Sequence, residues 1–131
     1  MKPICFYVFS WVFLQSYCYS QEYKYKNIAE KFRDGKFDKS LKLAEEEIAK
    51  NPNEMLPYLY KAMSIYQGKD VKKITSKYPN LQKASLEILK EAKPKFKPGD
   101  SIPNTFLVTL NDLQLGTYQE INRALKKKNY E

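Results

Sequence analysis

Apolar side chains recur at three- and four-residue spacing through most of this chain, and the runs break at glycine or proline. Tyr25, Ile28, Ala29 and Phe32 line one face of a first predicted helix, because residues three and four apart stack on the same side of the turn. Gly35 stops it. Asp38 is placed to cap a second helix with an inward stripe of Leu41, Ala44 and Ile48 and a polar side of Lys39, Lys42, Glu45 and Glu46. Asn51-Pro52-Asn53 closes that helix, since proline disfavours helical geometry at the residue before it.

A third helix, about Glu54 to Gln67, is apolar on nearly every side, which predicts a central element covered on more than one face. Gly68 ends it. Lys69 to Pro79 carries a weaker pattern of Val71, Ile74 and Tyr78, read as a short helix or an ordered loop. Asn80 opens a further helix in which Leu81, Ala84, Ser85, Ile88, Leu89 and Ala92 keep the helical period. Beyond Pro94, Pro98 and Gly99, a last run holds Phe106, Leu107, Leu110 and Leu113, then Tyr118, Ile121 and Leu125, with Gly116 as the point that splits it in two. No stretch shows sustained two-residue alternation flanked by hairpin turns, so the expected fold class is all-α, built from antiparallel helix pairs.

The first twenty residues follow another rule. Lys2 is their only charge, and it precedes the apolar run Ile4 to Leu14. At about 1.5 Å per residue, such a run covers roughly half of a bilayer core of about 30 Å. That length suits the core of a signal peptide, and Cys18 and Ser20 stand three residues and one residue before a cut at Gln21. The expectation is a leader over residues 1–20 and an exported domain over 21–131, secreted or periplasmic. A retained N-terminal anchor or a first helix buried in the fold is the alternative. Cleavage removes Cys5 and Cys18, which leaves the remaining chain without a thiol.

Charge and chemistry narrow the function. The chain has 23 Lys and Arg against 15 Asp and Glu, a net of +8, and no histidine. Lacking His, it lacks the commonest general base and the commonest metal ligand. Gly99-Asp100-Ser101-Ile102 resembles the nucleophile motif of one esterase and lipase family, yet nothing here can take the serine proton as a histidine would. A proline-flanked turn that caps the next helix is the structural reading. Glu45, Glu46 and Glu47 point about 100° apart around a helix and cannot converge on a metal. The expectation is a non-enzyme with no cofactor. The positive surplus lies in the middle of the chain, where Lys69, Lys72, Lys73 and Lys77 form a candidate basic patch beside Tyr78. Arg33 and Arg123 are the only arginines, and bidentate phosphate and base recognition favours arginine, so nucleic acid is not the expected partner. An acidic protein, a polysaccharide or a lipid headgroup fits such a patch better.

The segment Phe32 to Leu41, ending in Asn51-Pro52-Asn53-Glu54, resembles a tetratricopeptide repeat. In that family a helix ends at glycine, an aromatic follows two residues later, a small and an aliphatic residue open the second helix, and proline closes the unit. Gly35, Phe37, Ser40, Leu41 and Pro52 occupy those places, and Tyr58 and Ala62 look like the aromatic and small positions of a following first helix. The match covers residues 25–68. Lys24, Ile28 and Glu47 depart from the pattern, and Lys69 to Pro79 looks like an insertion in the second unit.

The resemblance implies helix pairs stacked as a short solenoid, each pair burying the face its neighbour leaves open. Ala124 to Glu131 resembles the end of a repeat's first helix, with Asn129 and Tyr130 echoing Lys36 and Phe37, so the array is expected to stop mid-repeat. It then carries either a polar cap or an exposed apolar ridge at Leu110, Leu113 and Ile121. The resemblance also implies a non-catalytic exported module that binds or scaffolds a protein or peptide on an inner surface. By position, Tyr25, Ala29, Phe32 and Arg33 of one unit and Leu59, Tyr60, Met63 and Tyr66 of the next contribute to that surface. A small envelope-associated structural protein, held to an anionic surface by its lysine-rich middle, is the competing expectation.

Overall fold

The computed structural model describes residues 24–98, 100, 102 and 104–128. The predicted leader, with both cysteines, and Ser101 lie outside them. The described residues form α1 (Lys26–Arg33), α2 (Phe37–Lys50), α3 (Met55–Gln67), α4 (Lys72–Lys77), α5 (Leu81–Ala92), a 3-10 turn (Lys93–Lys95) and α6 (Asn104–Lys128). No strand occurs among them.

Local chemistry sets most of the boundaries. Gly35 has φ 70°, the left-handed region open to a residue without Cβ. Its N–H donates to the Phe32 carbonyl at 3.0 Å and the Lys36 N–H donates to that of Lys31 at 2.9 Å, the crossed pair that ends a helix at such a glycine. α2 starts two residues earlier than predicted, because the Lys36 carbonyl accepts the N–H groups of Lys39 and Ser40. Asp38 therefore stands in the first turn, where it complements the helix dipole, and does not cap it. Tyr58 pins the α2–α3 turn by donating its hydroxyl to the Pro52 carbonyl at 3.0 Å. Asn80 caps α5, its side-chain oxygen accepting the Lys83 N–H at 2.9 Å.

Gly116 does not divide the last helix. A mid-helix glycine costs about 1 kcal/mol relative to alanine, which weakens a long helix without ending it. A Cβ here would meet only the end of the Gln82 side chain, at 3.2 Å.

The helices pack in chain order. α1 rests on α2, both rest on α3, α3 rests on α5, and α6 lies against α5 and α3. Met63, Ile65, Ile74, Ala44 and Ala62 are wholly buried. Buried hydroxyls set the closest approaches: Ser64 donates to Ser40 Oγ at 3.0 Å, Ser40 to the Ile28 carbonyl at 3.4 Å, and Ser85 to the Ala62 carbonyl at 3.0 Å. Among the described residues, every buried side-chain polar atom has a partner. The segment read as a short helix or loop is α4. It docks through Ile74, which sits so close over Gly68 that a Cβ there would lie 2.4 Å from the Ile74 Cδ1.

Candidate functional site

The aromatic stripe assigned to an inner surface is mostly core. Tyr25, Leu59, Tyr60 and Met63 are buried, which corrects their expected place on an open groove. α3 has α1 and α2 on one side and α5 on another, so its apolar residues go into packing before any partner reaches them. Phe32 is half-buried, its ring edge-on to Phe37 at 5.4 Å and to Tyr60 at 6.2 Å. Ala29 is half-buried and packs on the core, and Arg33 is exposed at the end of α1. Tyr66 is half-buried beneath α6, where burial and the nearby Asp112 carboxylate hold its phenol above the usual pKa. These residues do not form one continuous face.

The basic patch is partly answered within the fold. Lys77 donates to Glu45 Oε1 at 2.9 Å and Lys61 lies 3.5 Å from the same oxygen, while Lys73 lies 4.0 Å from Asp38. Burial pushes the Glu45 carboxyl up, but the Lys77 hydrogen bond and the Lys61 charge outweigh it, and its pKa falls below the usual value. The same hydrogen bond raises Lys77. These pairs tie α3 and α4 to α2. Lys69, Lys72, Lys73 and Lys77 all remain exposed.

The open surface lies at the other end of the array. α6 presses Phe106, Thr109 and Leu113 onto the body, with Leu113 only 2 % exposed. The expected ridge is thereby corrected: Leu113 is a floor, Leu110 is half-buried, and Ile121 is 52 % exposed. Gln82, in the first turn of α5, is hydrogen-bonded to the Thr117 hydroxyl at 2.9 Å, so the start of α5 lies abreast of residue 117. Past that level α6 continues through residues 121–128, all exposed, an overhang of about 12 Å at 1.5 Å per residue. Lys126, Lys127 and Lys128 favour the negative end of the helix dipole and help hold this uncovered turn. Between α5 and α6 runs an open groove of about 700 Å³, floored by Leu113 and walled by Leu86, Leu107, Tyr118 and Ile121. Sequence reasoning named the α6 residues as a helical run but not Leu86, whose neighbours in α5 face the core.

No group of His, Cys, Asp or Glu among the described residues is placed to hold a metal. None of the described helices is long and apolar enough to cross a membrane. Comparison with known families, with curated proteins and with solved structures finds no match to this chain.

Proposed function

We propose that this chain is a non-catalytic module of tetratricopeptide-like layout that binds or scaffolds another protein, and that it acts outside the cytoplasm after loss of its leader. The order of helix contacts carries the reading. Taking α1 and α2 as one pair and α3 and α5 as the next, each first helix touches its own partner and the first helix of the next pair, and α6 continues the row as a third first helix. A row of this kind buries the face of one unit against the next. α4 is the insertion within the second pair. The competing reading is attachment to an anionic surface through Lys69, Lys72, Lys73 and Lys77, of which Lys77 is paired with Glu45 while Lys73, 4.0 Å from Asp38, stays 85 % exposed.

A photo-crosslinking residue tests the reading in the cells that make the protein. Placed at Val108 or Leu115 on α6, it is expected to give a discrete adduct with a protein, and at Lys42 on the outer side of α2 none. Absence of any protein adduct from exposed positions on all six helices overturns the proposal. Adducts with envelope lipid or polysaccharide, lost at high salt, return the choice to the anionic surface.

A further inference from the structure

α6 carries a seven-residue repeat on the side that lines the α5–α6 groove. Leu107, Gln114 and Ile121 form one line of it and Asn111, Tyr118 and Leu125 the other, in alternating steps of four and three. We propose that this seam pairs with the same seam of a second copy of the chain, the two α6 helices running antiparallel. The inference goes beyond the protein-binding reading above and does not depend on it.

Steps of four and three keep one helix facing another along its length, so that the side chains of each enter the gaps of the other. The body of the chain does not use this side. At about 100° per residue the seam stands roughly 120° round from Phe106, Thr109 and Leu113, the buried residues that α6 presses onto its own chain. Asp112, Glu120 and Arg123 fall outside the seam, and Val108, Leu115 and Asn122 on its outer flank are uncharged as well. A chain of net +8 can therefore meet its own copy here without setting like charges face to face.

The direction follows from the overhang. α5 begins abreast of Thr117, whereas residues 121–128 of α6 are exposed all round. Antiparallel pairing about residue 116 lays each overhang along the grooved half of the other copy. Leu125 then faces the partner's Leu107, Ile121 the partner's Asn111, and Tyr118 the partner's Gln114, and all six seam positions are covered in both chains. Parallel pairing would instead bring the two sets of Lys126, Lys127 and Lys128 together. Antiparallel pairing keeps them about 30 Å apart, well beyond a Debye length of about 8 Å.

The area suffices for a reversible dimer. Leu86 and six large apolar side chains of α6 are between 38 % and 65 % exposed. Covering them in both copies removes on the order of 1,200 Å² from water, the lower end of specific interfaces. Each chain keeps its own core when the pair separates, so dilution yields a folded monomer.

The test is sedimentation of the chain as purified from the cells that make it, from about 1 μM to about 200 μM. A shift from monomer to dimer is expected across that range. Ile121→Gln together with Leu125→Gln, on the overhang that no helix of the same chain covers, is expected to raise the dissociation midpoint at least about tenfold, with helicity unchanged by circular dichroism. Mixing reads the direction. Leu107→Glu and Leu125→Lys chains are each expected to stay monomeric where the parent is dimeric, and to pair with one another when combined, because antiparallel order sets position 107 against 125. A chain that is monomeric throughout, a dimer indifferent to the double variant, or charge variants that do not pair on mixing each overturns the proposal. So does a monomer that sediments with phosphatidylglycerol vesicles through Ile121 and Leu125, which assigns the seam to lipid. In the crosslinking experiment above, an adduct of twice the chain's mass counts for this inference alone, and an adduct of any other protein mass counts for the broader reading alone.

Discussion

α3 and α6 are both rich in apolar residues, yet they live in opposite surroundings. Ten of the 13 residues of α3 are buried, including Pro57 and Ser64. Along the 25 residues of α6, burial is confined to the turns that touch α3 and α5, and beyond Thr117 every described residue is exposed. Hydrophobicity alone does not separate the two. What separates them is the number of neighbours: helices on several sides for α3, one flank for α6. Since burial stabilises by about 25 cal/mol per Å² of apolar surface removed from water, the same leucine or isoleucine has a very different value at the two ends of this row.

The contrast can be broken most directly by trimming one isoleucine in each place. Ile65→Ala in α3 removes a wholly buried side chain and is expected to cost about 2–5 kcal/mol in denaturant unfolding. Ile121→Ala in α6 is expected to stay within about 0.5 kcal/mol. Comparable losses would mean that the overhang is covered in the folded protein.

Gly68→Ala probes how tightly the closed end is sealed. The added Cβ would lie 2.4 Å from Ile74 Cδ1 and 2.7 Å from the Ser64 carbonyl oxygen, so α3 or α4 has to move. A loss of about 1–3 kcal/mol is expected, read as a lowered midpoint. Gly116→Ala has the opposite sign. Its Cβ meets the far end of the flexible Gln82 side chain, which can yield, and helix propensity then stabilises by up to about 1 kcal/mol. Together the two glycines ask whether tight packing or backbone freedom governs each end.

A further small effect concerns pH. The Glu45 carboxyl is held below its ordinary 4.5, so its pairing with Lys77 and Lys61 contributes stability that is fully present above that value and is lost as pH falls through the lower folded one. Glu45 is about one-third exposed, and solvent screens it. Glu45→Gln is expected to cost no more than about 1 kcal/mol at neutral pH and to flatten the acid side of a Tm–pH curve.

Helix ends were legible because they depend on nearby atoms. Gly35, Pro52 and Gly68 mark turns, and Asn80 caps with its own side chain, all within a few residues of chain. Asp38 misled because a cap and a first-turn acid differ by only two residues here, and Lys36 took the cap position without a side-chain bond. Gly116 misled because a single glycine weakens a long helix without ending it. The inner stripe misled for a related reason: Tyr60 and Met63 have the spacing of a binding face, and only the arrival of the other helices decides that they are core. The groove was half legible. Its α6 wall follows a helical period, but which members of that period sink and which stay out depends on the angle at which α5 lies across them.

One consequence follows from the buried hydroxyls. Ser64 leans on Ser40, and Ser40 on the Ile28 carbonyl, so three helices share a single relay of hydrogen bonds. Losing the Ser40 hydroxyl alone takes away the acceptor of the Ser64 hydroxyl, whereas losing both removes the donor along with it. The hydrogen bond between Ser64 and Ser40 thus ties α3 to α2, and the bond from Ser40 ties α2 to α1.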